Sequence, residues 1–564
     1  MAAPAPLSEL ERIAREYGPG LCERKLTLVA RLGRLRLRRA RDVLLLHEVL
    51  CFLRAYPDSD ALLRAGVREL ERFAARPDLA RFRAELADSG IAGTRIHFPF
   101  HWVTARWLAK HWPDALAVDA GAIGERERER ERFETLLPLL LPFAEWPDFD
   151  LGWTPEQWLA RLKGPRQTDA TFLIERFTRL QAAPRIREAL FNDLALPLVL
   201  EPGGDTPNRT RAWHRLGPPV FQERPLSRER PLLREAAKRP PRSVVRVSPR
   251  EGTRIIDLAR EALLTRGRDL DGIMYASRDD VRVIDAGDGL SLACLGLLPE
   301  HRALVETIYV FLLFKNGVPI GYYQAALLFG SAELNYHVFA SFRGVETALV
   351  YARALGVVHH LFGSDAFGVH PYQLGHENAD ALAAGAFWFY RKLGFAPDNP
   401  KIRAELAREE RRMAKDPEHR SSERVLRRLA ADYMFFHLRK PRDDIGSKLP
   451  LSRFSLAVTD TLAERFGAER ERGLRALMTE AARLTGVSLS ALDKGGRLAW
   501  ERWAPLILAL PGVERWPLAD RRALGLVARA KGAKSEQEFA SRLDRHPRLR
   551  RALLGLARRA EKKA

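Results

Sequence analysis

The sequence predicts an α/β (α+β) protein in which a mixed-sheet domain at 243–400 lies between two helical regions. Three observations predict it. Apolar residues recur at helical spacing up to about residue 200, alternate along β-branched runs after 243, and return to helical spacing after 400. Asn316-Gly317, a pair suited to the positive φ angles of a tight hairpin, separates the apolar runs 308–314 and 318–329. The stretch 333–397 then reads strand, turn, helix, strand, helix, strand, an order that suits an open sheet holding a ligand where its strands splay.

In chain order, 43–53, 61–75 and 172–183 are amphipathic helices within a helical domain at 1–200, punctuated by Pro57, Pro77, Pro113, Pro138, Pro142 and Pro147. The strictly alternating Glu/Arg run 125–132 places opposite charges three apart and like charges four apart, which makes it a solvated helix face. Residues 201–242 crowd eleven prolines and glycines among arginines from Pro202 to Pro241 and have linker composition. The sheet domain follows: strand 243–247, helix 252–265, strands 281–285 and 290–297, the hairpin, and strand 333–339. Helices 345–355 and 377–393 bracket an extended run at 364–370. Gly394 stops the second of these helices, and Pro397 and Pro400 close the extended segment that Phe395 opens. The helical region 401–564 begins with a solvated helix at 404–415. A helix at 422–439 carries Leu426, Leu429, Tyr433 and Phe436, and the chain ends in a basic run at 558–563.

A chain of 564 residues exceeds one core, and two to four domains are expected. The formal charge of +21 favours acidic partners: nucleic acid, anionic lipid or a polyphosphate cofactor. Arginine outnumbers lysine about five to one, a bias that genome composition explains equally well, so nucleic acid is not the favoured partner. Cys22, Cys51 and Cys294 form no CxxC pair and no disulfide framework. No window holds 18 uninterrupted apolar residues, the nearest being broken by Lys315, Asn316, Gly317 and Pro319. A cytoplasmic protein with no membrane partner is expected.

Alternation along 333–339 places Glu333, Asn335 and His337 on one face and Leu334, Tyr336 and Val338 on the other. The polar face is either solvent-facing or a set of general-base candidates. Ser341-Phe342-Arg343-Gly344 then forms a phosphate-sized turn ahead of a helix. Ser364 and Asp365 lack a nucleophile elbow, Pro99 separates His97 from His101 without a HExxH motif, and no Walker loop or GxGxxG occurs. No metal is expected.

The run Ala386-x-x-x-Tyr390-x-x-Leu393-Gly394-Phe395, with a strand, an Arg-Gly turn and a helix upstream, resembles the last shared helix of the GNAT superfamily of acyl-CoA-dependent N-acyltransferases. The resemblance covers 243–400, about a quarter of the chain. It implies transfer of an acyl group, acetyl in the first instance, from acetyl-CoA or another acyl-CoA to an amine-bearing small molecule or protein, by direct attack in a ternary complex. It implies Glu333 as base with His337 as second choice, and Tyr390 as the acid that protonates the departing thiolate. Phe342, Arg343, Gly344, Val345 and Glu346 correspond to the pyrophosphate loop, Asn378 to a pantetheine contact, and His370 and Tyr372 to the acceptor side. The family loop carries glycine where this chain has Glu346. Turned inward, that carboxylate competes for the phosphate donors and favours a degenerate binding or scaffold module; turned outward, it leaves a working loop.

Overall fold

A computed structural model describes residues 3–119, 122, 127–140, 153–227, 230–344 and 346–559. Val345, the start of the Glu/Arg run (125–126), Pro142, Pro147 and residues 560–563 of the basic tail lie outside the described residues. The chain divides into two compact units: Met1–Leu226 with Arg254–Tyr275 and Lys315–Pro319, and Ser227–Thr253 with Ala276–Phe314 and Ile320–Ala564.

The first unit is mainly helical. It adds three short antiparallel strands, β1 (Ile96–Phe98), β2 (Leu116–Val118) and β3 (Leu198–Leu200), in the order β1-β3-β2. Strands this short carry too few residues for alternation to show, which is why helical spacing dominated the reading of 1–200. Their core is aromatic, with Trp102 packed on Phe177 and Phe191. Residues 201–226, read as linker, have little regular structure, yet Thr206, Asn208, Thr210 and Ala212 are buried. The Thr210 hydroxyl meets His47 Nε2 at 2.9 Å and accepts from Ala92 N–H at 2.9 Å, so side-chain bonds do here what a ladder does elsewhere.

The second unit is built on β4 (Ser243–Arg246), β5 (Ala276–Gly287), β6 (Leu290–Leu297), β7 (Thr307–Lys315), β8 (Val318–Leu328), β9 (Ser331–Val338), β10 (Ala366–Val369), β11 (Ala396–Pro397) and β12 (Met434–His437). Their order is β11-β12-β10-β9-β8-β7-β6-β5-β4. The expected hairpin is present: β7 and β8 are neighbours, and Asn316 and Gly317 turn between them at φ +48° and +79°. β8 pairs antiparallel with β9, from Gly321↔Val338 to Leu328↔Ser331. β9 and β10 are parallel, joined by a crossover through the Thr347–Phe362 helix, which Gly363 ends in the left-handed region.

Two expectations fail. Residues 377–393 are not one helix but two short ones, Ala379–Ala383 and Ala386–Lys392, because Gly385 sits at φ +68° between them. Residues 422–439 are helical only at Glu423–Leu429; Met434–His437 is β12, inserted between β10 and β11. Tyr433 and Phe436 satisfied a helical period, but the aromatic run suits a strand equally, and pairing with β10 decides it. Helices from Ser452–Phe466 onward pack around the fully buried Trp500 and Trp503, whose core takes in Val305, Leu328 and Phe329 at the ends of the sheet strands. No described helix is long and apolar enough to cross a membrane.

Candidate functional site

The parallel pair is in register from Ser331↔Ala366 to Glu333↔Gly368. β9 runs on to Val338 whereas β10 ends at Val369, so beyond Glu333 no described strand pairs with β9 on that side. The carboxyl ends of the parallel strands, the place where α/β sheets bind ligands in a crevice, therefore lie beside a stretch of β9 edge with backbone groups to offer.

Alternation along β9 is as expected. Leu334, Tyr336 and Val338 are buried, and Glu333, Asn335 and His337 are half-buried. Tyr336 faces the Thr347–Phe362 helix: its ring meets Tyr351 edge-on at 5.1 Å and its hydroxyl donates to the Thr347 carbonyl at 3.3 Å. Tyr390 lies on this same face, with its ring 5.5 Å from Tyr351 and 5.8 Å from Phe395. Burial holds its phenol well above the usual range. Tyr351 is fully buried, and its hydroxyl has no partner among the described residues, a condition worth about 1–3 kcal/mol of unsatisfied polarity.

Glu333 occupies the opposite face. The Tyr433 phenol lies within electrostatic reach of its carboxylate: burial first, then that negative charge, pushes the phenol up. Asn335 Nδ2 reaches Glu333 Oε1 at 3.5 Å. Glu306, immediately before β7, completes the group: burial first, then the charge of Glu333, raises its carboxyl to about 7, with Lys531 pulling the other way. Lys531 Nζ, buried, donates to the Glu306 carbonyl at 2.5 Å and pairs with Glu536. β12 places Tyr433 next to His370, because Val369 pairs with Met434 and the two rings then meet edge-on at 5.2 Å. Glu306, its carboxyl raised to about 7 beside the Glu333 charge, a phenol pushed up by burial and by that charge, and an imidazole beside the phenol make this face a candidate for proton transfer.

The remaining sequence candidates divide. His337 packs against Tyr322 at 5.3 Å on the Glu333 face. His370 accepts from Tyr372 N–H at 3.1 Å and caps Pro371–Leu374, and Tyr372 is exposed. Asn378 caps Ala379–Ala383, accepting from Ala381 N–H at 3.1 Å and donating to the Tyr372 carbonyl at 3.1 Å, so both ends of its amide serve the backbone. In the turn, Gly344 stands at φ +79° and Arg343 Nε donates to the Val338 carbonyl at 3.1 Å, which ties the loop to the end of β9. The helix begins at Thr347, two residues later than expected. Glu346 is its N-cap, at φ +48°, and its carboxylate makes no capping hydrogen bond. The first intrahelical bond runs from Val350 N–H to the Glu346 carbonyl at 2.8 Å, so the amides of residues 347–349 precede the ladder.

Glu306 and Tyr433 were missed in the sequence. Glu306 stands alone between Val305 and Thr307, and Tyr433 was assigned to a helix, so only the strand order brings them to Glu333. Among the described residues no group of three His, Cys, Asp or Glu is arranged to hold a metal ion. Compared with protein-family models, curated proteins and solved structures, the chain matches none.

Proposed function

We propose that the second unit is an acyl-CoA-dependent N-acyltransferase of the kind its 243–400 segment resembles, acting on an amine that approaches from the Glu333 face. The observation that carries this reading is the Glu306/Glu333 pair, with Glu306 at about 7, set where β9 loses its parallel neighbour. An amine is protonated at neutral pH and must lose a proton to become a nucleophile. A carboxyl poised near the working pH is the efficient acceptor.

Three features suit an acyl-CoA. The amides of residues 347–349 and Gly344 make a helix N-terminus fit for pyrophosphate, and Glu346 does not cap them. The open edge of β9 can pair with an amide-bearing arm. The unpartnered Tyr351 hydroxyl, beside Tyr390, offers a polar atom on the helix face of the sheet. Bound acyl-CoA supplies an activated thioester carbonyl. The chain's own groups do the rest: the Glu306/Glu333 pair takes the proton that the amine loses as it forms the new C–N bond, and the Tyr390 phenol hands one to the sulfur as the C–S bond breaks. Asn335 donates to the Glu333 carboxylate, with the Tyr433 phenol nearby.

A scaffold reading draws on one observation, the enclosure of Tyr390 among Tyr351, Phe389 and Phe395. Calorimetric titration with acetyl-CoA, followed by an amine panel monitored for released thiol, separates the two. Binding with turnover lost in Glu333→Gln is expected. Absence of binding at millimolar acetyl-CoA rejects the enzyme.

A further inference from the structure

A second candidate site lies in the same unit at the far end of the Thr347–Phe362 helix. Sixteen residues at 1.5 Å each put it about 24 Å from the turn that precedes the helix. It is a groove of about 1090 Å³, bounded by Leu361–Gly363, the β4–β5 edge, and the helices Leu518–Ala530, Gln537–Asp544 and Pro547–Arg559.

Five arginines line it: Arg246, Arg282, Arg542, Arg545 and Arg550. Three are matched. Arg542 pairs with Glu538 at 2.5 Å, Arg550 with Asp444 at 2.5 Å, and Arg282 meets Asp280 at 3.2 Å and the Ser535 hydroxyl at 2.7 Å. The other two have no carboxylate in salt-bridge range among the described residues. Arg246 donates only to the Asp279 carbonyl, at 2.7 Å. Of the three carboxylates in the wall, Asp520 is taken by Arg548 at 2.6 Å and Glu538 by Arg542, while burial raises the Asp544 carboxyl to about 6 against the pull of Arg550 and a hydrogen bond from the Gly330 backbone.

The placement of Arg246 is unusual. It is the direct cross-strand partner of Arg282 in the β4–β5 ladder, and like charges facing each other across a ladder destabilise a sheet. Arg282 is also more than nine-tenths buried, and its Nη1 has no hydrogen-bond partner. A buried guanidinium nitrogen without a partner, next to a second unmatched guanidinium on the same face, is the complement of an anion with several oxygens. Another part of the lining differs: Leu526, exposed to 45%, offers apolar surface on the Leu518–Ala530 helix above the buried Val527. A cationic end joined to an apolar wall suits a molecule with a phosphate chain and a flat organic body.

We propose that this groove binds a nucleotide, its phosphates held by Arg246, Arg282 and Arg545 and its base laid on Leu526. The site is separate from the β9 edge and does not depend on the acyltransferase reading.

The test is calorimetry on the full chain with ATP, inorganic pyrophosphate and a short single-stranded oligonucleotide as probes. ATP is expected to bind more tightly than pyrophosphate. Arg246→Gln and Arg545→Gln are each expected to weaken ATP about tenfold or more, the loss of one charge-assisted contact, while leaving acetyl-CoA titration unchanged. Arg246 is solvent-exposed on an edge strand, so its replacement spares the fold, and Leu526→Glu, on a separate helix, is expected to weaken ATP without altering the melting temperature. The proposal is overturned if ATP does not bind, if pyrophosphate binds as well as ATP, if only the oligonucleotide binds, or if both arginine variants bind ATP like the parent.

Discussion

Glu306→Gln is expected to make the protein more stable above neutral pH while removing its activity. The Glu306 carboxyl is raised to about 7 from an ordinary value of 4.5, by burial and then by Glu333. The folded state therefore binds this proton more tightly than the unfolded chain. The stabilisation this gives is fully present below the ordinary value and is lost as pH rises through about 7. At 1.36 kcal/mol per unit, the charged form costs at most about 3 kcal/mol, and screening of a partly exposed carboxylate lowers this to about 1–2 kcal/mol. A neutral amide avoids that cost. The variant should thus match the parent near pH 4 and exceed it by about 1–2 kcal/mol near pH 8, a rise of a few degrees in melting temperature. In Glu333→Gln the neighbouring charge is gone, the Glu306 carboxyl falls toward its ordinary range, and the pH dependence flattens. On the same reasoning kcat/KM for amine acylation should fall about a hundredfold or more in Glu306→Gln. Denaturation curves across pH, run beside transfer assays, read both effects. A stability gain that is absent, or equal at both pH values, would refute the placement of the charge; full activity would refute the role of the pair.

Tyr390→Phe keeps the ring contacts with Tyr351 and Phe395 and should change stability by less than about 1 kcal/mol, because only a hydroxyl is removed. If Tyr390 protonates the thiolate, kcat falls while acetyl-CoA affinity by calorimetry stays; an unchanged kcat assigns the phenol to packing. Glu346→Gly should leave acetyl-CoA affinity within about threefold, since the carboxylate does not cap the helix. Relief of its left-handed backbone, about 1 kcal/mol, is offset by the entropy of glycine. A clear gain in affinity would mean that the carboxylate faces the phosphate donors. Lys531→Met strands Glu536, which then keeps only Arg302 at 3.8 Å, and should cost about 3 kcal/mol in urea unfolding. It should also raise the Glu306 carboxyl further, moving the acid limb of the rate profile to higher pH.

What was legible in the sequence is what neighbours along the chain decide. Asn316-Gly317 needs only its own φ preferences to turn, and β9 needs only its alternation to set Glu333, Asn335 and His337 on one side. The break at Gly385 was equally local, but the apolar spacing of Leu382, Ala386 and Phe389 continues through it and outvoted one glycine. The turn 341–344 lies between β9 and the helix as its residues suggest, whereas the left-handed Glu346 ahead of a helix that starts at Thr347 was not legible, because a glutamate gives no warning of positive φ.

The candidate site was half legible for a different reason. Glu333 declares itself on a strand of known period, while Glu306 and Tyr433 owe their positions to two events at long range: β7 neighbouring β8, which neighbours β9, and β12 entering between β10 and β11. The first is foreshadowed by Asn316-Gly317, but nothing at Glu306 itself marks its place beside Glu333, and the second has no signature at Tyr433. Tyr433 even fits the wrong period, since Leu426, Leu429, Tyr433 and Phe436 recur as a helix would have them. The insertion of β12 also explains why the site holds together: the Val369↔Met434 pair brings Tyr433 against His370, so a strand from beyond residue 430 supplies the phenol that feels the charge of Glu333 on β9. A chain cut at 400, where the resemblance ends, would keep Glu333 and Tyr390 but lose Tyr433 and Lys531. The Glu306/Glu333 pair would then stand without that phenol and without the ammonium that draws the Glu306 carboxyl down. The helical region after 400 therefore belongs to the site as much as β9 does.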